Sequence, residues 1–454
     1  MFSGQVVSLV RFALTLIIAV LAVSDAFAID MSLAPGLSVK NAVLYAVAGT
    51  LLLRGVVLKD IRLQMGVLRT CFITWIGYAV LTTLLDAFVV HLPHYRVVES
   101  VILLKSVLVD SAIVFFVFFY GLRSIDDAIF ITKIVLMGLA FGNVVSIADV
   151  SGLIGLGVTE VGTYGAEAGR VFGAFGHANE TAALIAILLP AYFSAVLMSR
   201  GVARIGWVGA SLASAAMLIL TGSRGGFVAV VVGGIWGTTL CRRYLSARVL
   251  LVGAAAVVAT AIILVPIVSL VGTGLAGTFV ERLIEIDPSE GGSDRTGIWQ
   301  RGIEVMMSFP VAVVTGFGWN SWFAKGFPLA AHNQYLWLWF ELGLIGLGSY
   351  LGIIWQSLST ARFAIQYGSE RTRPYLIAFV FGLCTLTVAV FFVQLSKPWP
   401  YIWAYAAASC RIAVDTIEAQ RQSKRQLRRG SSQGPGAIAM QSVGATQDKL
   451  RQDG

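Results

Sequence analysis

The stretch AAHNQYLWLWFELGLIGLGSY, from Ala330 to Tyr350, decides how this chain is read. It is apolar and belongs to a run long enough for a helix in lipid, yet that helix begins on His332-Asn333 and carries Glu341 one-third of the way along the span 333–356. A segment that only crossed a bilayer would need neither feature, because an ionisable group at membrane depth is costly unless paired or wet. The stretch therefore predicts a membrane-spanning helix with a polar task at its first turn.

The rest of the chain agrees. Hydrophobic residues make up 57% of the 454 and charged residues 13%, against roughly 45–50% and 25% in soluble domains. About twelve apolar stretches reach spanning length, roughly 17–25 residues each. They lie near 6–28, 38–58, 70–90, 100–122, 129–150, 178–198, 205–222, 225–240, 248–271, 333–356, 374–395 and 399–415, with 225–240 and 399–415 the shortest. The expected fold is all-α: a polytopic integral membrane protein.

Loop charge orients it, since Lys and Arg accumulate on the cytoplasmic side. With the N-terminus inside, the cytoplasmic segments 54–69, 123–128, 199–204, 241–248, 357–373 and 411–454 hold 21 of the 33 basic residues, the opposite side holds 9, and three lie within spans. Both termini are then cytoplasmic. The net charge of +9 follows from this asymmetry, and the run RQSKRQLRR from Arg421 to Arg429 suits an anionic inner leaflet rather than a nucleic acid.

The first span has a second reading. Arg11, the apolar run after it and Ala26-Phe27-Ala28 also fit a signal peptide with its cleavage site; we read an uncleaved anchor. Cys71, Cys241, Cys384 and Cys410 show no CxxC spacing, so neither a disulfide framework nor a thiolate metal site is expected. The expected organisation is 1–271, nine spans with an outer loop at 151–177; 272–331, a large outer loop; 332–415, three spans; and 416–454, a basic cytoplasmic tail, disordered from about 420. In the large loop, GGSDRTGIWQRGIEVMMSFP reads as a short amphipathic helix, capped by Ser293 or Asp294 and followed by Pro310.

This topology brings Arg170, His177, Arg224, Arg295 and His332 to the outer side, each at a helix end or in an adjoining loop. Each also has a plainer reading. Arg224, in TGSRGGF, suits a snorkelling turn residue, although Gly225 and Gly226 would expose amides to an anion at the start of the next helix. Arg170 and Arg295 suit solvated loops, His177 a structural role, and Asn333 a helix cap. Glu341 reads as a buried hydrogen-bond anchor, and Lys105, Asp110, Asp86 and Asp149 as interhelical pairs.

In this order GRVFGAFGHANETAAL, TGSRGG, SDRTGIWQRGIEVMMSFPVAVVTGFGW and AHNQYLWLWFELGLIGL resemble the O-antigen polymerase and ligase superfamily, over roughly residues 165–355. The specific part is the combination of an arginine and Trp299 in the long loop, a segment from Pro310 to the Gly-x-Gly ending at Gly318, and His332-Asn333 followed by Glu-x-Gly-x-x-Gly. The His177-Ala178-Asn179 segment departs from the pattern, which has a proline before the asparagine.

The resemblance implies a GT-C-like fold in the bacterial inner membrane. It also implies an enzyme that moves a glycan from undecaprenyl pyrophosphate at the periplasmic face. His332 would be the general base; Arg224 and Arg295, with Arg170 and Asn333, would bind the pyrophosphate and glycan; and His177, Asn179 and Glu341 would support them. No metal or other cofactor is expected, because no D-x-D or His/Asp cluster is present. A flippase and a chain-length regulator are the implied protein partners. A polymerase, lengthening O-antigen, capsule or exopolysaccharide on another lipid-linked unit, is preferred to a ligase acting on lipid A-core or protein. A transporter is the third reading, disfavoured because transporters place broken helices at the midplane in inverted repeats.

Overall fold

The computed structural model describes residues 2–58, 64–162, 169–247, 251, 253, 295–395 and 399–432. Its helices are α1 (Phe2–Ala26), α2 (Val39–Leu53), α3 (Gly66–Leu85), α4 (Val97–Leu104), α5 (Asp110–Gly121), α6 (Ile125–Val150), α7 (Ala178–Leu197), α8 (Gly201–Leu220), α9 (Arg224–Cys241), α10 (Arg295–Met307), α11 (Pro310–Thr315), α12 (Ser321–Ala324), α13 (Gln334–Ile365), α14 (Arg373–Ala389) and α15 (Trp399–Ser432). A small hairpin, Ser32–Ala34 with Leu37–Ser38, joins α1 to α2.

Among the described residues nine helices are long and apolar enough to cross a membrane. The all-α polytopic expectation holds. Three spans are lengthened by π-helical turns, and Lys105–Val109 fuses α4 and α5 into one span, Val97–Gly121. The stretch expected at 225–240 is the full-length span of α9, whereas 248–271, apart from residues 251 and 253, and the Ser293 or Asp294 cap lie outside the described residues. Two expectations are corrected. The 374–395 helix stops at Ala389 and turns, and the last helix runs to Ser432, past the point where disorder was expected. Arg, Gln, Lys and Leu propagate a helix well, so residues 421–426 stay helical although exposed.

The centre of the bundle is built by α7, α13, α14 and α15, and α1, α3, α5, α6, α8 and α9 pack around them. Leu52, Val56, Val202, Ile205 and Ile235 point outward, which in lipid carries no penalty. Without a hydrophobic driving force, helices in lipid associate by close backbone approach. The buried face of α9 is Gly226, Ala229, Gly233, Gly237 and Cys241, one residue per turn. A Cβ on Gly233 would stand 2.6 Å from the Thr385 Cα, and one on Gly237 2.7 Å from the Phe381 ring. α9 therefore lies directly on α14.

Polar groups in the spans are paired across helices in part as expected. Asp110 accepts from Asn41 (2.6 Å), Lys105 (2.8 Å) and the Tyr45 hydroxyl, and Arg11 pairs with Asp127 at 3.2 Å. Asp149 is a correction: it accepts the Gly157 and Thr159 amides, both at 2.8 Å, and so holds its own following loop. Asp86 lies against Gly318, its Oδ2 1.6 Å from where a Cβ on that glycine would stand.

α13 is broken at Gly343 (φ 58°, ψ −160°). The break releases carbonyls that a straight helix would use internally: Phe317 N–H donates to Phe340 O at 2.9 Å and Gly318 N–H to Glu341 O at 2.8 Å. The Gly-x-Gly segment thus pairs with the helix almost as a strand would. Glu341, fully buried, accepts Asn320 N–H at 2.8 Å and Trp322 N–H at 3.4 Å. The Tyr95 hydroxyl donates to Trp319 O at 2.7 Å, and burial pushes that phenol above its ordinary range. The loop between α11 and α13 is therefore clamped from both sides, which fixes where Ala331 and His332 emerge.

Candidate active site

Three helices begin at one place, with a fourth, α10, beside them. α7 starts after His177, whose Nδ1 accepts the Asn179 amide at 3.2 Å. α9 starts after Ser223, whose hydroxyl accepts the Gly226 amide at 3.3 Å. α13 starts after Asn333, whose side-chain oxygen accepts the Tyr335 and Leu336 amides, both at 3.0 Å. Arg295 lies in α10. Contacts between these starts tie them together. Ser223 donates to Asn179 at 3.0 Å. The His177 and His332 rings lie 6.1 Å apart and nearly parallel. Arg295 donates to Phe392 O at 3.1 Å, and Phe392 packs against Gly225, where a Cβ would meet it at 2.7 Å. The backbone amides of a helix's first turn carry partial positive charge, so three such ends with the Arg224 and Arg295 guanidiniums nearby suit an anion.

His332 is held on both sides. The Trp299 indole donates to Ala331 O at 2.7 Å, the Gln334 amide donates to Val390 O at 2.8 Å, and Asn333 is occupied as the cap. Between them His332 has φ 49°, a left-handed conformation uncommon for a residue with a Cβ and tolerated where surrounding structure over-determines it. Its imidazole is half-buried against His177.

The three arginines divide their tasks. Arg224 is exposed at the first position of α9, and Arg295 is half-buried opposite it across Phe392. Arg170, expected to bind substrate, is buried and donates to Thr221 O at 2.8 Å and Asn179 Oδ1 at 2.5 Å. It fastens the loop before α7 to the turn that carries Arg224. Arg170→Ala should therefore destabilise the protein by about 1–3 kcal/mol, because buried partners lose their donor, whereas Arg224→Ala, at an exposed position, should change stability by about 0.5 kcal/mol or less. Melting temperatures of the two variants check this, and the reverse order would give Arg170 and Arg224 each other's role.

Asn333 caps its helix, as its plainer reading had it. Glu341 lies on the loop-clamping side, about 13 Å along α13 from His332 at 1.5 Å per residue. Among the described residues no group of three His, Cys, Asp or Glu side chains is placed to hold a metal ion. Sequence reasoning missed the Val390–Phe392 turn, which touches α9, α10 and α13, because those residues read as the interior of a span. The only signal there was the aromatic pair Phe391-Phe392, of which Phe391 packs on Trp299 at 5.4 Å.

Residues 209–351 match the family model described as O-antigen ligase. The match runs from α8 into α13 and contains Arg224, Arg295 and His332, so over this segment the chain is similar to the O-antigen polymerase and ligase superfamily. No curated protein matches the chain. Function of the O-antigen ligase or polymerase type, in a multi-pass bacterial membrane protein, is what the match supports.

Proposed function

We propose that the protein is a polymerase of a bacterial surface polysaccharide, transferring a glycan from polyprenyl pyrophosphate to a hydroxyl of another lipid-linked repeat unit at the outer face of the inner membrane. One observation carries the reading: the N-termini of α7, α9 and α13 meet, with the His332 imidazole beside one of them, Arg224 on the first turn of another and Arg295 tied to the Phe392 turn that packs against it. A pyrophosphate on a lipid tail is an anion delivered to that level of the bilayer, and guanidinium forks match its oxygens.

In this reading His332 accepts the proton of the acceptor hydroxyl as its oxygen attacks the anomeric carbon. The bond from that carbon to the pyrophosphate oxygen breaks, and the departing polyprenyl pyrophosphate keeps the electron pair. Arg224, Arg295 and the helix ends stabilise the charge that develops there. Direct displacement inverts the anomeric configuration. A leaving group stabilised this way needs no protein nucleophile.

The test supplies purified protein in nanodiscs with a polyprenyl-pyrophosphate oligosaccharide and follows release of polyprenyl pyrophosphate and product size. A ladder of lengthening lipid-linked glycans is expected. Arg224→Lys and Arg295→Lys, which keep charge and lose the fork, should each slow release by roughly 10–100-fold, up to about 2.7 kcal/mol of transition-state stabilisation. Release only on addition of lipid A-core, with one glycan per acceptor, would make the protein a ligase. Intact lipid-linked sugar crossing a sealed vesicle without release would make it a transporter.

A further inference from the structure

A second cavity lies behind the candidate site. It measures about 520 Å³ and is bounded by the ends of α1, α2 and α5, the start of α15 and the segment Gly173–Gly176. That segment runs directly into His177, so one wall separates the cavity from the two imidazoles. Small-molecule sites have volumes of about 300–1,000 Å³.

Its lining is unlike that of the first site. Asp25, Asp30, Asp110 and Glu160 face it with Asn41 and Lys40. Lys40 neutralises Asp25 at 2.8 Å and Lys105 neutralises Asp110 at 2.8 Å. Asp30 and Glu160 keep the cavity acidic. Asp30 is fixed by the Ser32 amide at 2.8 Å, which holds its carboxyl below the usual range. Ionised carboxylates only accept hydrogen bonds, and amides do both, so the set suits a ligand rich in hydroxyl donors. It repels a pyrophosphate. The two neighbouring sites therefore sort a lipid-linked glycan by charge, phosphates among the arginines and sugars among the carboxylates.

We propose that this cavity is the acceptor subsite: it takes the uncharged, hydroxyl-rich end of the acceptor oligosaccharide and holds its terminal hydroxyl toward His332. The proposal rests on the transferase reading above and adds to it a binding role for the N-terminal helices, which lie outside the family match.

The probe is the soluble oligosaccharide freed by mild acid from the organism's own lipid-linked repeat unit, labelled at its reducing end. Its binding is measured by fluorescence anisotropy on full-length His332→Ala protein, which leaves the cavity intact. Saturable binding is expected, weakened tenfold or more by Ser106→Trp, which places a bulky ring at an exposed lining position, and measurably by Glu160→Gln. Arg224→Ala and added inorganic pyrophosphate should leave it unchanged. Unaltered binding in both cavity variants, or competition by pyrophosphate, overturns the proposal. So does a melting temperature raised by Ca²⁺ or Mg²⁺ alone and abolished by Glu160→Gln, which would make this a cation site. The two readings fail separately. A wild-type protein that transfers glycan but binds the probe independently of the cavity loses only the subsite, and one that binds the probe there but transfers nothing loses only the transferase.

Discussion

His332→Ala is expected to lower glycan transfer by about 10²–10⁴-fold, the range that a positioned general base supplies, while binding of the lipid-linked donor changes little. The split follows from the geometry. The turn around His332 is gripped through the Ala331 carbonyl and the Gln334 amide, backbone bonds that survive removal of the imidazole. Arg224 and Arg295, the proposed anion ligands, sit on α9 and α10, on other segments of chain. Alanine would also relieve none of the backbone strain at φ 49°, because it too carries a Cβ. Single-turnover transfer measured beside donor binding reads the two effects apart. Donor affinity falling in step with rate would make the imidazole a phosphate ligand. An unchanged rate would remove it from the chemistry.

His177 offers an internal control. Its Nδ1 already accepts the Asn179 amide and its ring is stacked between Phe172, at 6.3 Å, and His332, at 6.1 Å. It caps a helix and supports its neighbour's ring, so the two imidazoles are not interchangeable.

The fold class was legible because lipid leaves a coarse imprint: apolar runs of spanning length survive without any knowledge of packing. The ends of those runs were less legible. Val390 and Phe392 are as apolar as the helix before them, and nothing local marks that their carbonyls leave the helix to accept Gln334 and Arg295. Arg224, Arg295 and His332 could be singled out because an outward cation in a chain with basic inner loops demands a reason. Loop charge brought them to one side of the membrane, but which of them meet was not legible, since each comes from a different segment of chain. Arg170 looked the same as Arg224 in sequence; only burial and the Thr221 and Asn179 contacts separate them. The acidic cavity was invisible for a related reason. Asp25, Asp110 and Glu160 are scattered singly along the chain, and the helix ends bring them to one space.

Gly343→Ala is expected to destabilise the protein by on the order of 4 kcal/mol, at the extreme end for a point substitution. Two effects add. The φ 58°, ψ −160° backbone at Gly343 belongs to a region that is essentially closed to residues with a Cβ. The added methyl would also stand 2.1 Å from Val314 O and 2.5 Å from the Gly316 amide, and neither is the far end of a flexible side chain that can swing away. Gly316 (φ 74°) faces it with the reciprocal problem, a Cβ there falling 2.2 Å from Glu341 O. The helix cannot straighten to escape, because the Phe340 and Glu341 carbonyls already hold Phe317 and Gly318. The loop must therefore detach, and with it the Glu341 clamp on Asn320 and Trp322 and the lead-in to His332. Gly348→Ala, five residues further along the same helix with open space around it, should be neutral or stabilising by up to about 1 kcal/mol. Thermal melts of both variants in one detergent decide the matter. Equal melting temperatures would mean that the break in α13 is not required. A collapse confined to Gly343→Ala, with transfer lost alongside, would tie the catalytic turn to a helix that has to be broken nine residues beyond its start.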